Sequence, residues 1–208
     1  MSTINYIDLF TEYYNTNEWQ CQESRSGPGS TIQQTRKLVS ELPALFSTFK
    51  IKSILDLPCG DFNWMKTVAM DGINYTGADL VAELIADNKI KYPNVNFVQL
   101  DLLTDLLPTV DLIVCRDCLV HFSNHAVRRA LFNICLSKSK YLLTTTFPNH
   151  TTSGDLRMGA WRPLNLQSEI FNLSEPLFVI NEGLDIDHYR DKSMALWSID
   201  SIKLALMR

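Results

Sequence analysis

Three aspartates that each follow a short apolar run are the residues of this sequence best placed to bind a ligand. Asp56, Asp79 and Asp101 stand at the ends of three successive candidate strands. In an open α/β sheet, ligands bind at the carboxyl ends of the strands, where a carboxylate after the second strand accepts hydrogen bonds from ribose hydroxyls. Asp101 is then placed to reach an adenine amino group. Each one alone is also consistent with a solvated carboxylate, but three at successive strand ends favour a nucleoside site.

The turn after the first apolar run has the composition of a ligand-binding turn. It spans Asp56–Asp61 and contains Gly60, where the backbone can approach a bound group without interference from a Cβ atom. Asp61 is suited to cap a following helix. Taken alone, this segment is therefore equally consistent with a structural connection between a strand and a helix.

The segment Cys115–Phe122 places ionisable groups after the fourth candidate strand. His121, whose usual pKa is about 6.5, is the best candidate for a general base. Alternatively, it is a histidine packed at the entry to a helix. Asp117 and Arg116 are candidates for orienting a substrate, or for an ion pair that holds this loop in place.

The elements that must position these groups follow an alternating pattern typical of a doubly wound α/β sheet. Short apolar or β-branched runs predict five buried parallel strands, at Ile51–Leu57, Tyr75–Ala78, Asn96–Leu100, Val110–Cys115 and Tyr141–Phe147. Helical periodicity fills three of the four gaps, at 61–69, 81–91 and after Ser123, a candidate N-cap.

The two ends of the chain complete a single domain, 1–208, around this central half, 51–147. Residues 1–50 predict a helical N-terminal cap, with helices near 3–15 and 31–48. Residues 148–208 predict irregular loops and two strands, Leu177–Ile180 and Ser193–Asp200. These two strands should pair antiparallel, because a parallel pair needs a longer crossover.

An irregular segment after the fifth strand is a candidate substrate loop, since long loops without secondary structure are often binding loops. Trp161 and Arg162 in this loop, together with Tyr189 from the last hairpin, are candidates for contacting a substrate. The alternative is a packed tryptophan and a solvated arginine.

The composition is that of a globular protein, with 208 residues, 46% apolar residues and a net charge of −4. This charge disfavours a general nucleic-acid binder. Five cysteines, an odd number, suit free thiols in a reducing compartment, and Cys115-x-x-Cys118 lacks the second ligand pair of a zinc site. The start of the chain lacks the charged region of a secretory signal, and no apolar run is long enough to span a bilayer. We therefore expect a cytoplasmic protein without a metal.

Four segments together resemble the motifs of class I methyltransferases that use S-adenosylmethionine (SAM). Asp56–Gly60 resembles motif I, an acidic-x-Gly-x-Gly turn, Tyr75–Asp79 resembles motif II, Val110–Asp117 resembles motif IV, and Asp101 resembles the residue beside adenine. The resemblance extends from about residue 51 to 200, and the last hairpin matches the reversed seventh strand of that fold. It implies SAM as the cofactor, bound by Asp56, Pro58, Cys59, Gly60, Asp79, Leu80, Asp101, Leu102 and Arg116.

The motif I turn departs from the family pattern in a way that bears on the cofactor. Pro58 replaces the first glycine and Phe62 the third, so the turn lacks the cradle that dinucleotide enzymes use for pyrophosphate. SAM has no phosphate, so the departure favours SAM over NAD. Metal-dependent methyltransferases carry an Asp-Asn pair after the fifth strand, where this chain has Pro148-Asn149, and the resemblance therefore implies no metal.

These observations predict an enzyme that transfers the methyl group of SAM to an oxygen or nitrogen atom of a small polar molecule, with neither nucleic acid nor membrane as a partner. His121 and Asp117 are the candidate catalytic residues. Three alternatives remain open: a non-catalytic SAM-binding or regulatory module, a protein or peptide methyltransferase that docks its partner through the N-terminal segment, and an NAD-dependent oxidoreductase. The pattern specifies no oligomeric state.

Overall fold

The computed structural model describes residues 5–152 and 154–207, and its centre is a seven-stranded sheet. The strands are β1 Ser53–Asp56, β2 Asn74–Asp79, β3 Asn96–Gln99, β4 Leu112–Cys115, β5 Tyr141–Thr146, β6 Phe178–Asn181 and β7 Ser193–Ser198. Their order is β3-β2-β1-β4-β5-β7-β6. β1 to β5 run parallel, and β7 pairs antiparallel with both β5 and β6. The predicted fold class, a mostly parallel sheet with an antiparallel end, is confirmed.

The α-helices of the described residues are α1 Tyr6–Thr16, α2 Ile32–Thr48, α3 Ala82–Lys91, α4 Asn124–Leu136 and α5 Ile199–Leu206. The predicted cap of α4 is confirmed, because the Ser123 hydroxyl accepts a hydrogen bond from the amide of Ala126 at 3.2 Å. α3 ends at Lys91, shortly before Pro93, as predicted. Residues 3 and 4 of the first predicted helix, and Ser153 of the predicted substrate loop, lie outside the described residues.

The helix predicted at 61–69 is wrong. The only helical geometry in this stretch is a 3₁₀ turn, Met65–Thr67. Phe62 has a φ of 59°, which breaks the α-helical path directly after the motif turn. The helical spacing of Met65 and Val68 reflects burial of a looping segment, since both side chains face the core. Asp61 caps no α-helix. Its carboxylate instead accepts hydrogen bonds from the Ser24 hydroxyl and the Arg25 amide, which belong to the N-terminal segment, residues 5–30.

The last predicted strand, Ser193–Asp200, is too long at its carboxyl end, where α5 begins. The strand stops at Ser198, whose hydroxyl accepts a hydrogen bond from the amide of Ser201 and so caps the helix. Ile199 and Ile202 form the buried face of α5. Eight residues were too few for the periodicity to indicate a helix directly after a strand.

The two faces of the sheet carry two apolar cores. Successive side chains of a strand point to opposite faces, so Ile54 packs with the core that includes Leu38 and Leu42 of α2, while Leu55 packs with the core that includes Leu131 of α4. The single residue of α1 that contacts both cores is Phe10. The N-terminal helix therefore lies across the edge where the two cores meet. No helix within 5–152 or 154–207 is long and apolar enough to cross a membrane.

Candidate functional site

One cavity lies at the carboxyl ends of the parallel strands, and it brings together most of the site residues predicted from the sequence. The strand ends contribute Asp56, Leu57, Pro58, Cys59, Gly60, Asp79, Leu80, Val81, Leu100, Asp101 and Leu102. The loop after β4 contributes Arg116, Asp117, Cys118, His121 and Phe122. The N-terminal segment covers the cavity with Tyr6, Phe10, Tyr13, Tyr14, Trp19, Arg25, Ser26 and Ser30.

The carboxylate of Asp79 links the end of β2 to the motif turn. Its Oδ2 accepts a hydrogen bond from the amide of Gly60 at 3.1 Å, and its Oδ1 accepts one from the amide of Val81 at 3.1 Å. Burial raises the pKa of Asp79 to about 6, although these amide hydrogen bonds oppose the rise. The group is thus a rigidly held hydrogen-bond acceptor that is mostly ionised at neutral pH.

Asp56, at the end of β1, is a buried carboxyl whose pKa lies near neutral pH. The hydroxyl of Tyr75 donates to its Oδ2 at 2.7 Å. Burial, together with the nearby charge of Asp79, raises the pKa of Asp56 to about 7, although the Tyr75 hydrogen bond and the charge of Arg116 oppose the rise. A cation held in this cavity would favour the ionised form of both carboxyls.

Asp101, at the end of β3, is shared between the strand ends and the N-terminal helix. Its Oδ2 accepts hydrogen bonds from the hydroxyls of Tyr6 and Thr104, and its Oδ1 accepts one from the amide of Leu103 at 2.8 Å. The carboxylate that the sequence assigns to adenine therefore also anchors α1 over the cavity.

The motif turn lies directly beneath the N-terminal segment. Gly60 has a φ of 53°, and a Cβ atom there would lie 2.0 Å from the Ser26 hydroxyl, so only glycine fits. The same Ser26 hydroxyl accepts a hydrogen bond from the amide of Asp61 at 3.1 Å, and Ser24 donates to the Asp61 carboxylate at 2.9 Å. These contacts hold the segment closed on the turn.

Arg116 and Asp117 belong to a buried network of four charged side chains. The Arg116 guanidinium donates from Nε and Nη2 to both carboxylate oxygens of Glu182, at 3.1 and 2.7 Å, and lies 3.2 Å from Asp117. Lys192 Nζ lies 2.6 Å from Asp117 and 3.6 Å from Glu182. Burial alone would raise the pKa of Asp117, but Arg116 and Lys192 lower it below its usual value. The ion-pair interpretation of the sequence thus has a geometric basis.

His121 is held at the cavity in an orientation that suits a base. Its Nδ1 lies 3.0 Å from the carbonyl oxygen of Ala160, which accepts a hydrogen bond when Nδ1 carries the proton. That arrangement leaves Nε2 with a free lone pair. Burial lowers the pKa of His121, so the ring is neutral at neutral pH. Its ring also packs against Trp19, with centroids 5.0 Å apart.

The structure does not bring the three predicted substrate contacts into the cavity wall. Trp161 packs edge-on against Phe147 and Tyr189, with centroids 5.9 and 5.4 Å away. The guanidinium of Arg162 donates to the side chain of Asn124 at 2.7 Å. These residues therefore support the loop whose Ala160 carbonyl holds His121, and their predicted contact with a substrate gains no support from this geometry.

The sequence did not indicate two groups of site residues. The first is the aromatic side chains with which the N-terminal segment lines the cavity, and the second is the two members of the charge network that lie far along the chain from Arg116 and Asp117. Tyr6, Phe10 and Tyr14 follow helical spacing, which was a usable signal, but nothing in the sequence tied that stripe to the strand ends. Glu182 and Lys192 reach Arg116 and Asp117 across 66 and 75 residues and carry no local signal.

No group of three or more histidine, cysteine, aspartate or glutamate side chains in the described ranges is arranged to hold a metal ion. All five cysteines carry free thiols.

Comparisons with known proteins agree with this fold. Residues 54–136 match a family model described as a methyltransferase domain. Among solved structures, magnesium protoporphyrin IX methyltransferase from Synechocystis PCC 6803 with bound SAM is similar, at 12% identity and a TM-score of 0.65, over 94% of this chain and 98% of that one.

Two further structures are similar at comparable levels. The PH0226 protein from Pyrococcus horikoshii OT3 has 14% identity and a TM-score of 0.59, over 84% of this chain and 96% of that one. Human N-acetylserotonin methyltransferase in complex with SAM has 14% identity and a TM-score of 0.62, over 92% and 61%. No curated protein sequence matched. The predicted class I methyltransferase fold is confirmed by these structures, and the family-model match to a methyltransferase domain is limited to residues 54–136.

Proposed function

We propose that this chain, a class I methyltransferase dependent on SAM, transfers the methyl group to an oxygen or nitrogen atom of a small polar molecule held under its N-terminal segment. The observation that carries the proposal is a single cavity lined by the strand-end carboxylates, by His121 and by the residues of α1. Cofactor and acceptor would therefore share one covered space.

The residues of the strand ends fit the cofactor by their chemistry. Asp79 would accept hydrogen bonds from the ribose hydroxyls, and Asp101 would accept one from the adenine amino group in place of, or beside, the Tyr6 hydroxyl. Asp56 would face the positively charged part of the cofactor, which would favour its ionised form. Pro58 has no backbone N–H to donate to the carboxylate of the methionine part of SAM. We assign that carboxylate to Arg25, a cation that lines the cavity.

The bound cofactor supplies a methyl group on a cationic sulfur, so the chain itself needs mainly to align the acceptor, exclude water and accept a proton. His121 Nε2 would accept the proton from the acceptor hydroxyl or amine, while the carbonyl of Ala160 keeps the other ring proton on Nδ1. Asp117, engaged by Lys192 and Arg116, would hold the loop that carries His121 and favour the charged form of that ring.

A small acceptor is favoured over a polymer because α1 lies over the cavity and is tied down at both ends of its aromatic stripe. The Tyr6 hydroxyl donates to Asp101, and the Tyr14 hydroxyl donates to Asp87 of α3 at 2.5 Å. The net charge of −4 gives no general attraction for nucleic acid. The names of two similar enzymes indicate small acceptors, magnesium protoporphyrin IX and N-acetylserotonin.

The test is methyl transfer from isotopically labelled SAM into a cell extract divided by size, with His121→Gln as the inactive comparison. Label in the small-molecule fraction that depends on His121 supports the proposal. Label only in proteins or peptides supports a protein methyltransferase instead. SAM binding without label in any fraction supports a regulatory module, and NADH binding without SAM binding supports an oxidoreductase.

A further inference from the structure

We infer that the acceptor is an uncharged molecule with a planar aromatic ring, received by a wall of aromatic side chains at the His121 end of the cavity. The inference rests on the proposed function and names its substrate class. The aromatic wall consists of Phe10, Tyr13, Trp19, His121 and Phe122, all of which line the cavity.

The aromatic wall is continuous. Tyr13 meets Phe10 and Trp19 with centroids 5.9 and 5.4 Å apart and ring planes at 85° and 82°. Trp19 continues to His121 at 5.0 Å, and Phe10 continues to Phe122 at 6.3 Å. Nearly perpendicular neighbouring rings form corners in which a flat ring can stack on one face and meet the edge of another.

The aromatic stripe of α1 is left without a full protein partner. Every residue of Tyr6–Thr16 keeps some exposure, although this helix presents Phe10 and Tyr13 to the inside of the cavity. By contrast, Trp197 of β7 and Phe97 of β3 are almost fully covered by protein. The incomplete burial on α1 is what a binding surface for an apolar flat group requires.

Charge argues against an ionic acceptor. The cations beside the aromatic wall are already paired, since Arg116 binds Glu182 and Asp117, and Lys192 binds the same two carboxylates. The network therefore carries no net charge. The other cation that lines the cavity in the described residues is Arg25, which donates to the carbonyl of Tyr14. We assign Arg25 to the cofactor, because it belongs to the N-terminal segment that is closed on the motif turn.

Neither a carboxylate nor an ammonium group on the acceptor would find an unpaired counter-charge at the aromatic wall, and an ammonium group would in addition face the cationic sulfur. A neutral ring that bears a hydroxyl or an N–H offers a flat apolar surface for the wall and a proton for His121 Nε2. The methyl group then replaces that proton on the oxygen or nitrogen.

The experiment compares four probes that share the same fused bicyclic ring skeleton, titrated by calorimetry into the full chain saturated with S-adenosylhomocysteine. These are 1-naphthol, its saturated counterpart decahydro-1-naphthol, the anion 1-naphthoate and the cation 1-naphthylmethylammonium. We expect 1-naphthol to bind at least fivefold more tightly than each of the others. A ratio below fivefold for any of them overturns the inference.

The variant Trp19→Leu should weaken 1-naphthol binding at least fivefold while affinity for S-adenosylhomocysteine changes less than twofold. Phe10→Leu removes a second ring of the wall and serves if Trp19→Leu does not fold. The matched control is Phe132→Leu, which removes an exposed aromatic ring of α4 that does not line the cavity, and it should leave probe binding unchanged. Retained affinity in the folded wall variants overturns the inference.

The two proposals fail in different ways. If the size-fractionated assay finds a methylated small molecule that is saturated or charged, the proposed function stands and the aromatic acceptor is refuted. If the chain binds no S-adenosylhomocysteine, both fail together.

Discussion

Replacing Asp56 by asparagine should stabilise the ligand-free protein, and by more as the pH rises. The side chain is only 2% exposed, and burial raises its pKa from 3.8 to about 7. Between these values the folded protein holds a proton that the unfolded chain has released. The wild-type protein therefore loses free energy of unfolding as the pH rises through this window, whereas a neutral asparagine loses none.

The magnitude follows from the size of that rise. Each pKa unit corresponds to about 1.4 kcal/mol, so the full effect is on the order of 4 kcal/mol. From pH 5 to pH 8, the free energy of unfolding of Asp56→Asn relative to the wild type should grow by about 3 kcal/mol. The asparagine oxygen can still accept the hydrogen bond from Tyr75, which keeps the comparison close to one of charge alone.

Urea unfolding of both proteins at pH 5, 6, 7 and 8, without cofactor, measures this difference. Asp111→Asn is the matched control with the opposite sign, because Lys140 and the amide of Lys52 bind the Asp111 carboxylate and lower its pKa. That variant should lose stability at every one of these pH values. A difference between Asp56→Asn and the wild type that stays constant or shrinks from pH 5 to pH 8 would refute the reasoning. SAM affinity of the same variant should fall, so stability and cofactor binding should change in opposite directions.

Three further predictions concern the cofactor, the charge network and the base. Asp79→Ala should weaken SAM binding by about 1–3 kcal/mol in calorimetry, and wild-type affinity should fall as the pH drops below about 6, where this carboxyl takes up a proton; unchanged affinity in a folded variant would remove Asp79 from the site. Glu182→Gln should cost about 3–5 kcal/mol in urea unfolding, because it leaves the buried Arg116 charge without its bidentate partner, and a loss below 1 kcal/mol would contradict the network. His121→Gln should lower kcat about 10²–10⁴-fold. Wild-type kcat should fall on the acidic side only below the usual histidine pKa, because burial lowers the pKa of His121; a fall centred above pH 7 would argue against this base.

The strand-end aspartates illustrate what local sequence can determine. Asp56, Asp79 and Asp101 each follow a buried strand, and parallel strands bring their carboxyl ends to one edge of a sheet. Apolar runs, turn residues and the order of the elements were therefore enough to predict the fold class and to bring these carboxylates into one crevice. The same local signals located the end of α3 before Pro93 and the start of α4 after Ser123.

The helix predicted at 61–69 marks the limit of that reasoning. Periodic burial of Met65 and Val68 is the same signal in a helix and in a loop packed against the core. Contacts with the N-terminal segment favour the loop over a helix, because Ser24 donates a hydrogen bond to the Asp61 carboxylate and Ser26 packs against Gly60. Periodicity records only that a side chain is covered, whereas the contact that holds the Asp61 carboxylate comes from Ser24, 37 residues earlier in the chain.

The covered cavity itself was decided by tertiary structure alone. Tyr6 reaches Asp101 across 95 residues, and Lys192 reaches Asp117 across 75. A hydrogen bond or ion pair of this kind depends on where two distant elements dock, which is set by the packing of both apolar cores and has no local pattern in the chain. The sequence thus determined the sheet and the acidic edge of the cofactor site, while only the docked N-terminal helix and terminal hairpin decided the aromatic wall and the paired charges beside His121.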